Sequence, residues 1–268
     1  MINPEYSKDW KIRKNKKIRY LTCDLLTNHS FEHFFFTRSN IKTAPEELIN
    51  LVSQSKPLIY KSNQVHGNNV IESNKIESTA NIKADGLISN GPNECLCIFT
   101  ADCVPILYAD KKDGTVAVSH AGWKGLTKMI IKKTIHKLLL KGTKLENIII
   151  AIGPCISAKN YPVGLNVINP IAKSLYIKGF KLPILNKNII ESFNKLKIIS
   201  KTCEEDRFKL DLRLVAYYQL IQEGIKASNI SVCKYCTFDE KELFYSWRRE
   251  KYKERQYSSI ISKLCQNV

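Results

Sequence analysis

Apolar residues in this chain fall mostly into short alternating or continuous runs, and only a few stretches keep the three-to-four spacing of a helix. Residues 17–26 and 32–37 read as strands from their aromatic and β-branched content. Residues 45–53 read as a short helix, with Pro45 in its first turn and Glu46 and Glu47 favouring the positive end of the dipole. A dense series of strands follows at 58–60, 69–72, 86–89, 95–100, 104–109 and 115–119. Gly122 and Gly125 lead into a helix whose face carries Leu126, Ile130, Ile131, Thr134, Leu138 and Lys141, with Gly142 as its C-terminal glycine. Downstream, 147–152 reads as a buried strand, 167–176 as a helix broken by Pro170, and 211–223 as a helix ended by Gly224. Strands at 230–233, 244–247 and 257–264 complete the pattern, and residues 8–17 form a basic, poorly patterned lead-in.

Strands and helices in no strict alternation predict an α/β fold of mixed β-sheets covered by helices. No internal repeat, Gly/Ser linker or low-complexity tract interrupts the 268 residues. The expectation is therefore a single domain over 1–268, with the basic lead-in at about 1–17. No apolar run approaches the roughly 20 residues that cross a bilayer, and the first residues lack a secretory core, which points to a cytoplasmic protein with no membrane partner. Nine cysteines, an odd number, fit free thiols in a reducing compartment.

A net charge of +17 ordinarily suggests nucleic acid. Here the basic residues divide into 34 Lys and only 8 Arg, and Ile (33) and Asn (21) far outnumber Ala (12). Lys, Ile and Asn are encoded by A/T-rich codons, so base composition accounts for much of the charge. A base-reading surface favours the planar fork of Arg. The charge is expected to form a solvated face that draws in small anions, with no specific nucleic-acid partner.

Five histidines are present. His136 lies within the amphipathic helix and reads as a packing or surface residue, and His29 and His33 flank a turn. His66 stands in Gln64-Val-His-Gly67 at a strand end, and His120 in His120-Ala-Gly-Trp-Lys-Gly125 where a buried strand passes into a helix. Between them, Thr100-Ala-Asp-Cys-Val-Pro105 interrupts two apolar strands with a polar pair. A buried Asp102 beside Cys103 is costly without partners, which marks a site. Spacings of 37 and 17 residues leave three readings open: a catalytic zinc with an open fourth position, a Cys–His nucleophilic site, or a core thiol with two loop histidines.

In the same order come Ala84-Asp-Gly-Leu-Ile-Ser89, Ile152-Gly-Pro-Cys-Ile156, Tyr161-Pro-Val-Gly164, Cys236-Thr237 and Ser246-Trp-Arg-Arg249. With the three motifs above, these blocks resemble the YfiH/PgeF family, long described as multicopper polyphenol oxidase or laccase, over residues 31–261. The resemblance implies stacked mixed sheets between helices, similar to the cytotoxic necrotizing factor toxins. It also implies a zinc held by His66, Cys103 and His120, with copper the less favoured ion. The implied activity is purine nucleoside phosphorylase on adenosine, inosine and methylthioadenosine, with adenosine deaminase as a side activity. Peptidoglycan editing, or a metal-free amidohydrolase using Cys103, are the alternatives. Departures fall at the rim: Lys124 and Trp247 replace the usual Arg and Tyr, and the loop after Thr37-Arg38 is short and lacks glycine.

Phosphorolysis needs an anion site, stabilisation of a cationic sugar, and protonation of the departing purine. The helix starting near Gly125 points its positive end at His120, so its amides with Lys124 offer a phosphate site. Arg38, Arg248 and Arg249 are further phosphate candidates, and Gln64 joins the substrate-binding set. Asp102 is expected to orient a metal ligand and to complete the catalytic group with His66, Cys103 and His120. Deamination would draw on a zinc-activated water. Multicopper chemistry is excluded because its clusters need more imidazoles than five. A cytidine-deaminase centre is excluded because no His-x-Glu is present, and Cys233-x-x-Cys236 reads as buried cysteines. A monomer or homodimer acting on small molecules is the expected assembly.

Overall fold

The structure is a computed structural model that describes residues 6–38, 43–76, 82–175, 187–204, 206–251 and 253–263. One six-stranded sheet runs, in spatial order, β1 (Trp10–Asn15), β2 (Ile18–Cys23), β3 (His33–Phe36), β15 (Gln256–Ile261), β7 (Glu94–Thr100) and β4 (Leu58–Tyr60). A second runs β14 (Ile230–Val232), β10 (Ile148–Ile152), β8 (Val104–Asp110), β9 (Val116–Ala121), β6 (Gly86–Ile88) and β5 (Val70–Glu72). Each is mixed, with parallel pairs only at its margins: β4 with β7, β10 with β14, and β5 with β6. A small antiparallel sheet orders β11 (Pro162–Gly164), β13 (Arg207–Leu210) and β12 (Ile199–Lys201).

Period-two alternation decides which side each central residue faces. Phe35, Leu96, Ile98 and Ile260 of the first sheet meet Leu107, Val116, Val118, Ile149 and Ala151 of the second in one core. Their neighbours Ile106, Tyr108, Ile148, Ile150 and Ile152 face the other way. They pack on α4 (Ile130–Leu140), α5 (Leu165–Ser174) and α7 (Leu212–Gln222). Phe34, Phe36, Cys95 and Cys97 likewise turn outward, onto Leu48 and Ile49 of α2 (Pro45–Val52). The result is the expected α/β arrangement of stacked mixed sheets between helices. The remaining helices are α1 (Asp24–Thr27), α3 (Trp123–Thr127), α6 (Lys187–Lys195) and α8 (Trp247–Glu250). None of the described helices is long and apolar enough to cross a membrane.

Several expected elements differ, each for a local reason. The lead-in contains a strand, because β1 pairs with β2 along its length and buries Trp10, whose indole N–H donates to Ser231 Oγ (2.8 Å). The strand expected to 26 ends at Cys23 and turns into α1. The helix expected over 126–141 is two helices, because Met129 adopts a left-handed conformation (φ 62°). Carbonyls freed at that break accept from Asn68 Nδ2, at Lys128, and from Gln219 Nε2, at Leu126. Pro170 does not break α5: it lies in the second turn, and burial of Val167, Ile168, Ile171 and Ala172 outweighs one lost backbone bond. The 244–247 strand is absent, because the Gln256 side chain takes both backbone groups of Tyr245, and Ser246 caps α8. Gly142 (φ +95°) does end α4 as expected, with Gly142 and Thr143 N–H donating to Leu139 and Leu138 carbonyls. Tyr176, Leu264, residues 1–5 of the lead-in and residues 39–42 of the shortened loop lie outside the described residues.

Candidate active site

Four neighbouring strands deliver the site to one end of the second sheet. Cys103 directly precedes β8, and His120 lies near the end of β9, which runs antiparallel to β8 with Pro105 opposite His120. Asp85 directly precedes β6, which pairs with β9 so that Gly86 faces Ser119. The loop carrying His66 leads into β5, parallel to β6. His66, Cys103 and His120 therefore converge although 37 and 17 residues separate them in sequence. Their donor atoms all lie within 4.8 Å of one another, and Cys103 Sγ is 3.9 Å from His66 Nε2. A tetrahedral centre with bonds near 2.0–2.3 Å holds its donors about 3.5 Å apart, so a small contraction closes the group on a metal.

Gly122 permits this approach. A Cβ there would stand 2.8 Å from Cys103 Sγ and 3.2 Å from His66 Cδ2. His66 itself takes a left-handed conformation (φ 56°), unusual outside glycine, and what holds it is Asp85. The fully buried Asp85 carboxylate accepts from the backbone N–H of Val65 (3.1 Å), His66 (2.9 Å) and Gly67 (2.7 Å). Its Oδ1 also meets His120 Nδ1 at 2.8 Å, which leaves His120 Nε2 for the donor group. Burial pushes the Asp85 carboxyl up, but the bonds from His120 and the loop amides outweigh it and hold the group below the usual carboxylate range. Burial likewise pushes the Cys103 thiol up, but the His120 charge and bonds to both imidazoles bring it down to about 6. His120 moves the opposite way, above the usual range, because the Cys103 sulfur and Asp85 outweigh its burial. The group is thus built to keep a negative sulfur beside a cation, whether imidazolium or metal.

Asp102 requires a correction. Its backbone is strained (φ +86°), its carboxylate is buried, and its carboxylate hydrogen bonds go to neither His66 nor His120. Oδ1 accepts from Thr237 Oγ1 (2.7 Å) and Oδ2 from the Arg248 N–H (2.6 Å), so Asp102 ties the residue beside Cys103 to α8. The carboxylate that meets a histidine of the group is Asp85, within Ala84-Asp-Gly-Leu-Ile-Ser89, a residue the sequence analysis does not single out. The sequence does carry a signal for it: a charged residue opening an apolar run is as costly to bury without partners as Asp102 is.

A cavity of about 780 Å³ opens on the His66–Cys103–His120 group, walled by Trp123, Tyr161, Leu212 and Trp247 and by the cations Lys124, Arg248, Lys251 and Arg255. Lys124 and Arg248 stand there as expected, with the Arg248 guanidinium 5.0 Å from the Tyr161 ring centre. Gln64 borders the cavity, but its amide is already spent: Nε2 donates to Phe99 O and Oε1 accepts from Phe99 N–H, both at 2.8 Å. Arg38 is absent from the lining, because it pairs with Glu250 and lies over the Tyr245 ring. Arg249 is consumed by the carbonyls of Thr237, Phe238 and Phe244. The helix dipole expected at His120 is weak, since α3 has five residues and the longer α4 starts only at Ile130. His33 is fully engaged elsewhere, with Nε2 accepting from Cys23 N–H (2.8 Å) and Nδ1 donating to Phe31 O (2.9 Å). Cys233 and Cys236 are buried free thiols.

Residues 37–263 match the family model described as multi-copper polyphenol oxidoreductase laccase. A purine nucleoside phosphorylase of Synechocystis sp. is 33% identical over 251 residues, covering 91% of this chain and 93% of the relative. An adenosine deaminase from an unknown prokaryotic organism is 30% identical, over 62% of this chain and 55% of its own length. The crystal structure of a hypothetical Bacillus licheniformis protein, YfiH, superposes with a TM-score of 0.76 at 23% identity, covering 94% of this chain and 98% of that one.

Proposed function

The chain belongs to the family described as multi-copper polyphenol oxidoreductase laccase, among its YfiH/PgeF members, and from that premise we propose that it is a zinc-dependent purine nucleoside phosphorylase. Adenosine, inosine and methylthioadenosine are its substrates, and hydrolytic deamination of adenosine is a side activity. The observation that carries this reading is the cation-lined cavity standing directly on the His66–Cys103–His120 group. Copper oxidation fits the residues poorly: among the described residues this is the one group of three or more metal-ligating side chains, and the other histidines are spent on packing or surface.

Zinc held by His66, Cys103 and His120 would supply Lewis-acid polarisation and lower the pKa of a bound water. Asp85 fixes the ring of His120 and the backbone of the His66 loop, so the donors are set before any ion arrives. Lys124 and Arg248 neutralise orthophosphate and hold it for attack on C1′ of the ribose. Asp102 keeps Arg248 in place by binding its backbone N–H, and therefore acts as a positioning residue. The aromatic walls exclude water and give the purine a surface to stack on.

The test incubates the purified chain with each nucleoside, with and without phosphate, and separates products by chromatography. Adenine with ribose 1-phosphate, formed only when phosphate is present, is expected from adenosine, with slower inosine in either condition. Absence of phosphate-dependent base release from all three nucleosides would overturn the reading. Elemental analysis should find about one zinc per chain, reduced at least tenfold in His120→Ala.

One geometric feature favours a second reading. Asp85, His120 and Cys103 stand in the order carboxylate–imidazole–thiol, with the imidazole oriented by the carboxylate, which is the arrangement of a cysteine amidohydrolase. Amide hydrolysis that survives zinc chelation and is abolished by thiol alkylation would select it.

A further inference from the structure

Phosphorolysis needs a proton for the departing purine as well as a site for phosphate. As the C1′–N9 bond breaks, its electron pair passes into the purine, and charge gathers on the ring nitrogens. Asp102 is the one carboxylate in the cavity lining among the described residues. It has no proton to give, because Oδ1 accepts from Thr237 Oγ1 (2.7 Å) and Oδ2 from the Arg248 N–H (2.6 Å). The imidazoles of His66 and His120 belong to the metal-ligand group, and Asp85 holds the other nitrogen of His120 (2.8 Å). The Gln64 amide is bonded through both of its polar atoms to Phe99. In the proposed reaction Lys124 and Arg248 hold orthophosphate.

Tyr161 is placed differently. It is half-buried in the cavity wall, and its backbone is fixed on both sides, with its N–H donating to Ala158 O (3.0 Å) and its carbonyl accepting from Leu210 N–H (3.1 Å). The Arg248 guanidinium lies 5.0 Å from the ring centre, so an anion held by Arg248 is brought beside the phenol. The hydroxyl has no hydrogen-bond partner among the described residues and, unlike that of Tyr108, is not sealed in the core. Burial and the Cys103 and Asp102 charges raise its pKa above the usual tyrosine range, against the pull of Arg248. The O–H therefore keeps its proton across the neutral range. It is an uncommitted donor beside the phosphate-binding cation and within the field of the ligand group.

Resting on the phosphorylase reading, we infer that Tyr161 is a catalytic residue whose hydroxyl donates to N7 of the purine as the base departs. An orthophosphate oxygen bonds to C1′, the C1′–N9 pair enters the ring, and N7 takes the phenol proton. The proton that orthophosphate sheds on becoming an ester replaces it, so no free phenolate forms and the base leaves as its neutral 7H tautomer. The hydrogen bond strengthens only as charge gathers on the ring, which places its effect in the transition state.

The experiment compares wild type with Tyr161→Phe, both as full chains, on adenosine and on 7-methyladenosine at saturating orthophosphate. The variant removes one oxygen that bonds to no described residue, so Tm and zinc content should stay at wild-type values. 7-Methyladenosine already carries a positive charge on its methylated N7, and its base leaves neutral without taking a proton. Expected is a fall of about 100–1,000-fold in kcat on adenosine, with KM changed little. On 7-methyladenosine the variant should be at least as fast as wild type. Equal losses on the two nucleosides would mark a structural role and overturn the inference, and so would an adenosine kcat within about threefold of wild type, well short of what one such donor supplies. In both of those cases adenine release by the wild type keeps the phosphorylase reading standing. A wild type that releases no base from either nucleoside brings down that reading and the inference with it.

Discussion

Replacing Asp85 with Asn changes one atom and should disable the site. The carboxylate is fully buried and serves four donors: His66 N–H and His120 Nδ1 on Oδ1, Val65 and Gly67 N–H on Oδ2. An amide offers one accepting oxygen. With its oxygen kept toward His120, the NH₂ confronts two backbone donors, and flipping it turns the NH₂ toward His66 N–H and His120 instead. Either way two bonds to a charged acceptor are lost, at about 1.5–3 kcal/mol each. Breaking a buried charged pair by removing one partner gives a consistent figure of about 3–5 kcal/mol. For a chain of this length that lowers Tm by roughly 5–10 °C. The left-handed backbone of His66 loses its restraint at the same time, so zinc affinity should fall about 10–100-fold, as for other groups that orient metal ligands. Differential scanning fluorimetry reads the first effect, and competition against a chromophoric chelator reads the second. Because the bonds hold the Asp85 pKa below its ordinary value, the carboxylate's contribution is complete above the usual carboxylate range and disappears as pH falls below it. The gap between wild type and Asp85→Asn should therefore close in acid. An Asp85→Asn protein with unchanged Tm and zinc affinity within twofold of wild type would refute the reasoning.

Gly122→Ala forces a methyl to 2.8 Å from Cys103 Sγ, so displacement of the thiol should weaken zinc binding by about 5–150-fold, the equivalent of about 1–3 kcal/mol of overpacking, while Tm drops only slightly. Chelator competition checks this, and affinity at the wild-type level would show that the ligand group has slack. Burial lowers the His33 pKa from 6.5 to about 4, since protonation at Nε2 would cost the bond from Cys23 N–H. Between those values the unfolded chain takes up a proton that the folded chain refuses, so stability should fall by about 3 kcal/mol as pH drops from 6.5 to 4. Urea titrations across that range test it against a His33→Asn variant, and a His33-dependent slope of opposite sign would contradict it.

Much of this protein is legible in the sequence because the information is local. Alternation along 95–100, 104–109 and 147–152 fixes which residues share a face, and those strands appear where the pattern puts them. Gly142 and Gly224 end helices because each adopts a positive φ that other residues avoid. His66, Cys103 and His120 could be singled out because each is a metal-ligating side chain where a strand gives way to glycine-bearing or polar chain. Which carboxylate serves them was decided by tertiary structure alone. Asp85 and Asp102 both lie just ahead of buried strands, and the Cys103 beside Asp102 draws attention to the wrong one for His120. Asp85 meets His120 because β6 lies next to β9 in the sheet, and Asp102 meets α8 because Trp247 and Arg248 line the same cavity. The same holds for Gln64 and Gln256, polar side chains that take the place of strand pairing for Phe99 and Tyr245, residues 35 and 11 positions away. It holds as well for Arg38, which reads as an anion ligand until Glu250 stands beside it. A side chain's type and its place in a pattern state what it can bond to. Only the packed chain determines which of the available partners comes within 3 Å, because that depends on strand order and loop paths that no local window contains.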